Sequence, residues 1–244
     1  MSDLGVEPIP SDPDNRSGSV QVRIDSPGRR NALTLETVQH LHDLLRADDS
    51  STILLGSTTP GIFSAGADLD VDDVTRTRLS DLLYACYEQM VSRPGVVIAV
   101  VEGAAVGGGA QLTAAADLRL ISSEARWRWV GPGHGLAVGA WILPELVGRS
   151  RALDLTLTSR WLHAPEAVAA GLAPRIDEAP WVHALALAAE LGRADARALA
   201  RVKQIATTPG VRDSLRAERE QNRRAWSGQA PSARQSAAEG RARG

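Results

Sequence analysis

The 244-residue chain is 43% hydrophobic and 23% charged, with 22 Gly and 13 Pro, which excludes disordered, collagen-like and fibrous classes. Its 27 basic and 29 acidic residues leave a net charge of −2, too little to recruit nucleic acid or an anionic membrane. A single cysteine, Cys86, rules out an intrachain disulfide framework and a cysteine-rich zinc site.

Residues 1–17 mix Pro, Asp and Ser without periodicity and read as a mobile arm with no signal-peptide pattern. From Ser19 to Ile24 the alternation of Val20, Val22 and Ile24 predicts a half-buried strand, and Ser26-Pro27-Gly28 predicts a turn. Asn31 to Leu45 carries Leu33, Val38, Leu41, Leu44 and Leu45 at helical spacing, with Thr34 suited to cap it. Thr52 to Gly56 reads as a buried strand, and a loop rich in Gly, Ser and Thr runs on to Leu69. Val74 to Met90 predicts a helix that stops before Pro94, and Val96 to Val101 a second buried strand. Gly107-Gly108-Gly109 opens a helix of small residues ending near Asp117, and Leu118 to Ser122 reads as a further strand. Beyond about Arg151 the pattern is wholly helical. The expected organisation is an α/β core over residues 18–180 and a helical region over 181–244. No uninterrupted apolar stretch reaches about 18 residues, so no membrane span is expected and the chain reads as cytoplasmic.

Two glycine-rich loops each follow a buried strand: Phe63-Ser64-Ala65-Gly66-Ala67-Asp68-Leu69, and the run from Glu102 through Gly107-Gly108-Gly109 to Ala110. Small side chains let a ligand approach the backbone, and a following helix N-terminus aims unpaired N–H groups at it. Two such loops can offer two N–H donors to one oxygen, which is the requirement of an oxyanion hole.

The order of these segments resembles the crotonase superfamily (enoyl-CoA hydratases and isomerases) over roughly residues 18–240. Besides the two loops, the resemblance rests on Asn31-Ala32-Leu33, on Asp117-Leu118-Arg119, on Leu146 to Ala152, and on Ala164-Pro165-Glu166-Ala167 to Gly171-Leu172. It implies a spiral of ββα units with a helical C-terminal region that builds a homotrimer or dimer of trimers. It also implies an acyl-CoA thioester partner, here expected to carry a medium or long chain, with no separate cofactor because CoA is part of the ligand. The oxyanion donors would be the N–H groups of Ala67 and Gly108. Ala65 to Leu69, including Asp68, would line the adenine and pantetheine path, and Arg29 and Arg30 would lie near the CoA phosphates.

Hydratases of that family use two glutamates, and the resemblance places Gln111 and Gly131 at their positions. An amide cannot exchange a proton near neutral pH. His134 is the titratable group in the following loop and is a candidate replacement. Trp127, Trp129 and Trp141 are expected in the core or the acyl wall, Tyr84 and Tyr87 are candidate pocket residues, and Glu102 is expected to be structural.

Other motifs fail on their spacing. Asp68, Asp70, Asp72 and Asp73 lack the turn glycine and final glutamate of a calcium loop and read as a solvated helix start. Gly61, Ser64 and Gly66 miss the nucleophile-elbow spacing, and His40 and His42 cannot share a helix face as zinc ligands. Two readings of function therefore stand. One is a divergent enzyme of the hydratase/isomerase type with weak proton transfer. The other is an acyl-CoA carrier or sensor without turnover.

Overall fold

A computed structural model describes residues 3–9, 18–47, 50–207 and 209–227. In chain order the elements are β1 (Leu4–Pro8), β2 (Ser19–Ile24), β3 (Ala32–Leu33), α1 (Leu35–Ala47), β4 (Thr52–Ser57), β5 (Gly61–Ser64) and β6 (Gly66–Ala67). Next come α2 (Asp73–Ser92), β7 (Val97–Val101), β8 (Gly103–Val106), α3 (Gly108–Ala115), β9 (Leu118–Ile121) and β10 (Arg126–Arg128). The chain continues with α4 (Leu143–Val147), α5 (Arg149–Thr158), β11 (Leu162–His163), α6 (Ala164–Ala169), α7 (Pro180–Arg193), α8 (Ala196–Ala206) and α9 (Pro209–Ser227).

The main sheet has the order β1-β2-β4-β7-β9, parallel from β2 to β9. Side-chain alternation divides its core in two. Ile53, Leu55, Val97, Ala99 and Ile121 face the main core, whereas Leu54, Ile98, Val100 and Leu120 pack against Ala184 and Ala188 of α7. A second sheet, β11-β10-β8-β5, and the β3–β6 pair stack beyond the main one, so each glycine-rich loop leaves one sheet and enters another. Gly103 is required at that passage, because a Cβ there would lie 2.0 Å from the Gly61 carbonyl carbon.

Several expectations need correction. Leu4–Pro8 is not a mobile arm but pairs antiparallel with β2, from Leu4 opposite Ile24 to Pro8 opposite Val20. Backbone hydrogen bonds hold it, with Leu4 as its core anchor, and composition does not reveal either. Residues 10–17 lie outside the described residues, as do those beyond 227. The first helix starts at Leu35, not Asn31, and Thr34 caps it by accepting from the Thr37 N–H at 3.1 Å. The expected loop to Leu69 contains β5 and β6, β8 and β10 are additional strands, and the C-terminal portion includes the two-residue β11.

Candidate functional site

Asn31 ties the first glycine-rich loop to the preceding turn. It is fully buried in a left-handed conformation (φ 55°). Its Oδ1 accepts from the Ser26 N–H at 2.8 Å, and its Nδ2 donates to Ser57 Oγ at 2.6 Å and to the Phe63 carbonyl at 3.2 Å. Ser64 Oγ donates to the Asn31 carbonyl at 2.7 Å and accepts from the Gly66 N–H. Ala32 and Leu33 then pair with Gly66 and Ala67. The Asp68 N–H bonds the Leu33 carbonyl at 2.9 Å, so by strand alternation the Ala67 N–H points away from β3.

The second donor comes from α3. The Gln111 N–H makes the first intrahelical bond, to the Gly107 carbonyl at 3.0 Å, and the N–H of Gly108 at the first helical position has no intrahelical acceptor. The two loops converge: a Cβ built on Gly108 would stand 3.5 Å from the Ala67 nitrogen, and one built on Gly66 the same distance from the Gly108 nitrogen. Gly66 (φ 94°) and Gly107 (φ 51°) supply the left-handed backbone that this approach demands.

A cavity of about 130 Å³ opens beside these donors. Ala65, Ala67, Leu69 and Gly108 form one side. Arg76, Leu79, Ser80, Leu83, Tyr84 and Tyr87, one face of α2, form the second, and Val130, His134, Leu136 and Val138 the third. Gln111 and Asn222 complete the lining. Arg76 is buried and holds the loop before α2, donating to the Leu69 and Val71 carbonyls at 3.0 and 2.9 Å and to Asp73 at 2.6 Å.

A buried polar network lies behind the cavity. Gln111 Oε1 accepts from Trp141 Nε1 at 2.7 Å and from the Gly139 N–H at 3.2 Å. Glu218 of α9 accepts from that same Gly139 N–H at 3.1 Å, from the Trp141 N–H at 3.0 Å and from the Tyr84 hydroxyl at 2.7 Å. Asn222, one turn on, donates to Tyr84 Oη at 2.8 Å and clamps Ala137 through both its N–H and its carbonyl. Burial raises the Glu218 carboxyl above its ordinary range, opposed by the donors that surround it. Burial and then the Glu218 charge raise the Tyr84 phenol, so it stays protonated.

Of the residues read from sequence, Ala65, Ala67, Leu69, Gly108, Gln111, His134, Tyr84 and Tyr87 come together on this cavity. Burial, then the Arg76 cation, lowers the His134 imidazole below its usual value of 6.5. Its Nδ1 is buried without a hydrogen-bond partner among the described residues. Gly131 does not line the cavity, and a Cβ there would meet the Leu136 carbonyl oxygen at 2.5 Å and the Val138 nitrogen at 2.8 Å. Arg29 and Arg30 also stand outside it. Arg29 pairs with Asp3 at 2.6 Å and approaches Asp68 at 3.8 Å, while Arg30 is exposed. Trp127, Trp129 and Trp141 are core residues, and Glu102 is exposed away from the cavity. Arg76, Glu218 and Asn222 escaped the sequence reading. A signal existed for the last two: Val211, Leu215, Glu218 and Asn222 form one buried stripe of α9, and polar residues on such a stripe need partners.

The model of the enoyl-CoA hydratase/isomerase family matches residues 14–242. The chain belongs to the enoyl-CoA hydratase/isomerase family. Among curated relatives, this family member is 32% identical over 214 residues to the Mycobacterium bovis protein named "Probable enoyl-CoA hydratase echA6", covering 85% of this chain and 87% of that one. An enoyl-CoA hydratase/isomerase from Pseudoalteromonas atlantica shares 26% identity at a TM-score of 0.74, over 89% of this chain and 88% of that one. The structure of an enoyl-CoA hydratase/isomerase from Mycobacterium paratuberculosis, 21% identical, superposes with a TM-score of 0.81 over 94% and 95% of the two chains, which establishes the crotonase-like fold. No helix among the described residues is long and apolar enough to cross a membrane.

Proposed function

We propose that this family member binds an acyl-CoA thioester with its carbonyl oxygen between the N–H groups of Ala67 and Gly108, and that its proton-transfer chemistry is weak. The observation that carries this reading is the convergence of the two loops, with the Ala67 nitrogen 3.5 Å from a Cβ position on Gly108. Two fixed N–H donors stabilise charge that develops on a thioester oxygen as an enolate forms. Ala65 to Leu69 would receive the pantetheine arm, and Arg30, exposed at the neighbouring turn, suits the CoA phosphates.

Proton transfer is the weak step. Gln111 holds no exchangeable acid proton, and its carbonyl oxygen is committed to Trp141 and Gly139. Gly131 has no room for a side chain. His134 is the cavity group able to accept a proton near neutral pH, since its lowered pKa keeps the ring neutral there. The committed Gln111 favours the second reading, an acyl-CoA carrier or sensor without turnover. Comparing acyl-CoA affinity with single-turnover product formation separates the two.

Gly108→Pro tests the hole. Proline is tolerated at the first helical position but removes the N–H. It should weaken a thioester well beyond free CoA and, in a working enzyme, lower kcat by about 10²–10³. Equal weakening of both ligands would sink the assignment. We further propose assembly as a trimer or dimer of trimers, supported by Val202 and Ile205 of α8, which are 66% and 83% exposed. Light scattering that shows only monomer would refute it.

A further inference from the structure

We infer that the acyl subsite ends at Tyr84 and admits only short acyl groups, a limit that rests on the thioester reading above. A cavity of about 150 Å³ takes up a benzene ring of six carbons. The 130 Å³ beside Ala67 and Gly108 therefore has space for about five carbons on the same scale. That space must include the thioester carbonyl itself. On this proposal the subsite is shorter than the medium or long chain expected from sequence.

One wall of the cavity is aromatic and held from behind. The Tyr84 and Tyr87 rings meet edge to face with centroids 5.5 Å apart, and Tyr87 stacks on Trp141 at 6.0 Å. Tyr87 donates to the Gly108 carbonyl at 3.1 Å, fixing the wall to the helix that carries the oxyanion donor. Tyr84 cannot swing aside cheaply, because its hydroxyl donates to Glu218 and accepts from Asn222. Rotation would leave a buried carboxylate and a buried amide each short of a partner. Asn222 in turn clamps Ala137 of the loop that carries His134, Leu136 and Val138. Tyr84 is thus the specificity-determining side chain, and Glu218 and Asn222 are positioning residues that act through it.

The test is isothermal titration of the full chain with free CoA and with butanoyl-, hexanoyl-, octanoyl- and dodecanoyl-CoA. Each methylene that is buried should raise affinity about fourfold, so affinity should rise from CoA to butanoyl-CoA. It should then fall at least tenfold from its best value by octanoyl-CoA. Tyr84→Ala removes a ring about the size of the benzene that such a cavity holds and should move the optimum to octanoyl-CoA. Tyr84→Phe keeps the ring but removes the bonds to Glu218 and Asn222 that hold it, so its optimum should lengthen, by less than that of Tyr84→Ala. Affinity that climbs steadily to dodecanoyl-CoA in the unmodified protein overturns the length limit while leaving the thioester reading intact. A folded Tyr84→Ala protein that still prefers butanoyl-CoA overturns the assignment of Tyr84. If that variant does not fold, the unmodified protein and Tyr84→Phe decide the question. No gain of any acyl-CoA over free CoA removes the thioester reading, and the length limit with it.

Discussion

Resemblance to hydratases suggests restoring a carboxylate by Gly131→Glu, and the structure says that this change should damage the protein instead. Gly131 has φ −70° and ψ −57°, a conformation open to any residue, so the obstacle is steric and not torsional. The first added atom would lie 2.5 Å from the Leu136 oxygen, 2.8 Å from the Val138 nitrogen and 3.0 Å from Val138 Cβ. Two of those atoms are backbone and cannot rotate away. The Gly131 carbonyl also accepts from the His134 and Leu136 N–H groups at 2.9 and 3.0 Å, bonds that the shift would strain. Overpacking of this kind costs about 1–3 kcal/mol, and a lost hydrogen bond adds about 1 kcal/mol. For a chain of this size the melting temperature should fall by on the order of 10 °C. Gly131→Ala should cost nearly as much, because the clash is at Cβ. Urea denaturation of both variants measures the loss, and crotonyl-CoA hydration by Gly131→Glu combined with Gln111→Glu should remain near background. A double variant as stable as the parent and hydrating at about 10 s⁻¹ would refute the steric argument and the site assignment together.

Three further changes probe the network and its supports. Gln111→Leu leaves the buried Trp141 Nε1 without its acceptor and should destabilise by about 1–3 kcal/mol in urea. Glu218 has a folded pKa raised by burial above the ordinary 4.5, so its contribution is fully present below that value and is lost as pH rises through the folded pKa. Glu218→Gln should flatten this decline in a stability–pH profile, and an unchanged slope would count against the buried-carboxylate reading. Lys203 donates to the Met90 and Gly95 carbonyls and to Asp117 at 2.8 to 3.0 Å. Lys203→Met should cost on the order of 3 kcal/mol, read from the urea midpoint, because it breaks the salt bridge to Asp117 and leaves two carbonyls without their donor.

Local pattern determined much of this protein. The alternation of Val20, Val22 and Ile24, the apolar runs of β4 and β7, and the helical face of α1 are properties of neighbouring residues. They are visible because side-chain period follows backbone geometry. The two glycine-rich loops were legible for the same reason, since Gly66 and Gly107 mark backbone that other residues rarely adopt. Tertiary structure alone decided what those loops face. Tyr84 meets Glu218 across 134 positions of sequence and Asn222 across 138, and Asn222 lines the cavity beside Ala67 and Gly108 only because α9 returns to α2. Gly131 looked like a missing carboxylate in the chain and is a point of backbone crowding in space. Periodicity records which face a residue takes, whereas the partner on that face is set by packing between elements far apart in sequence.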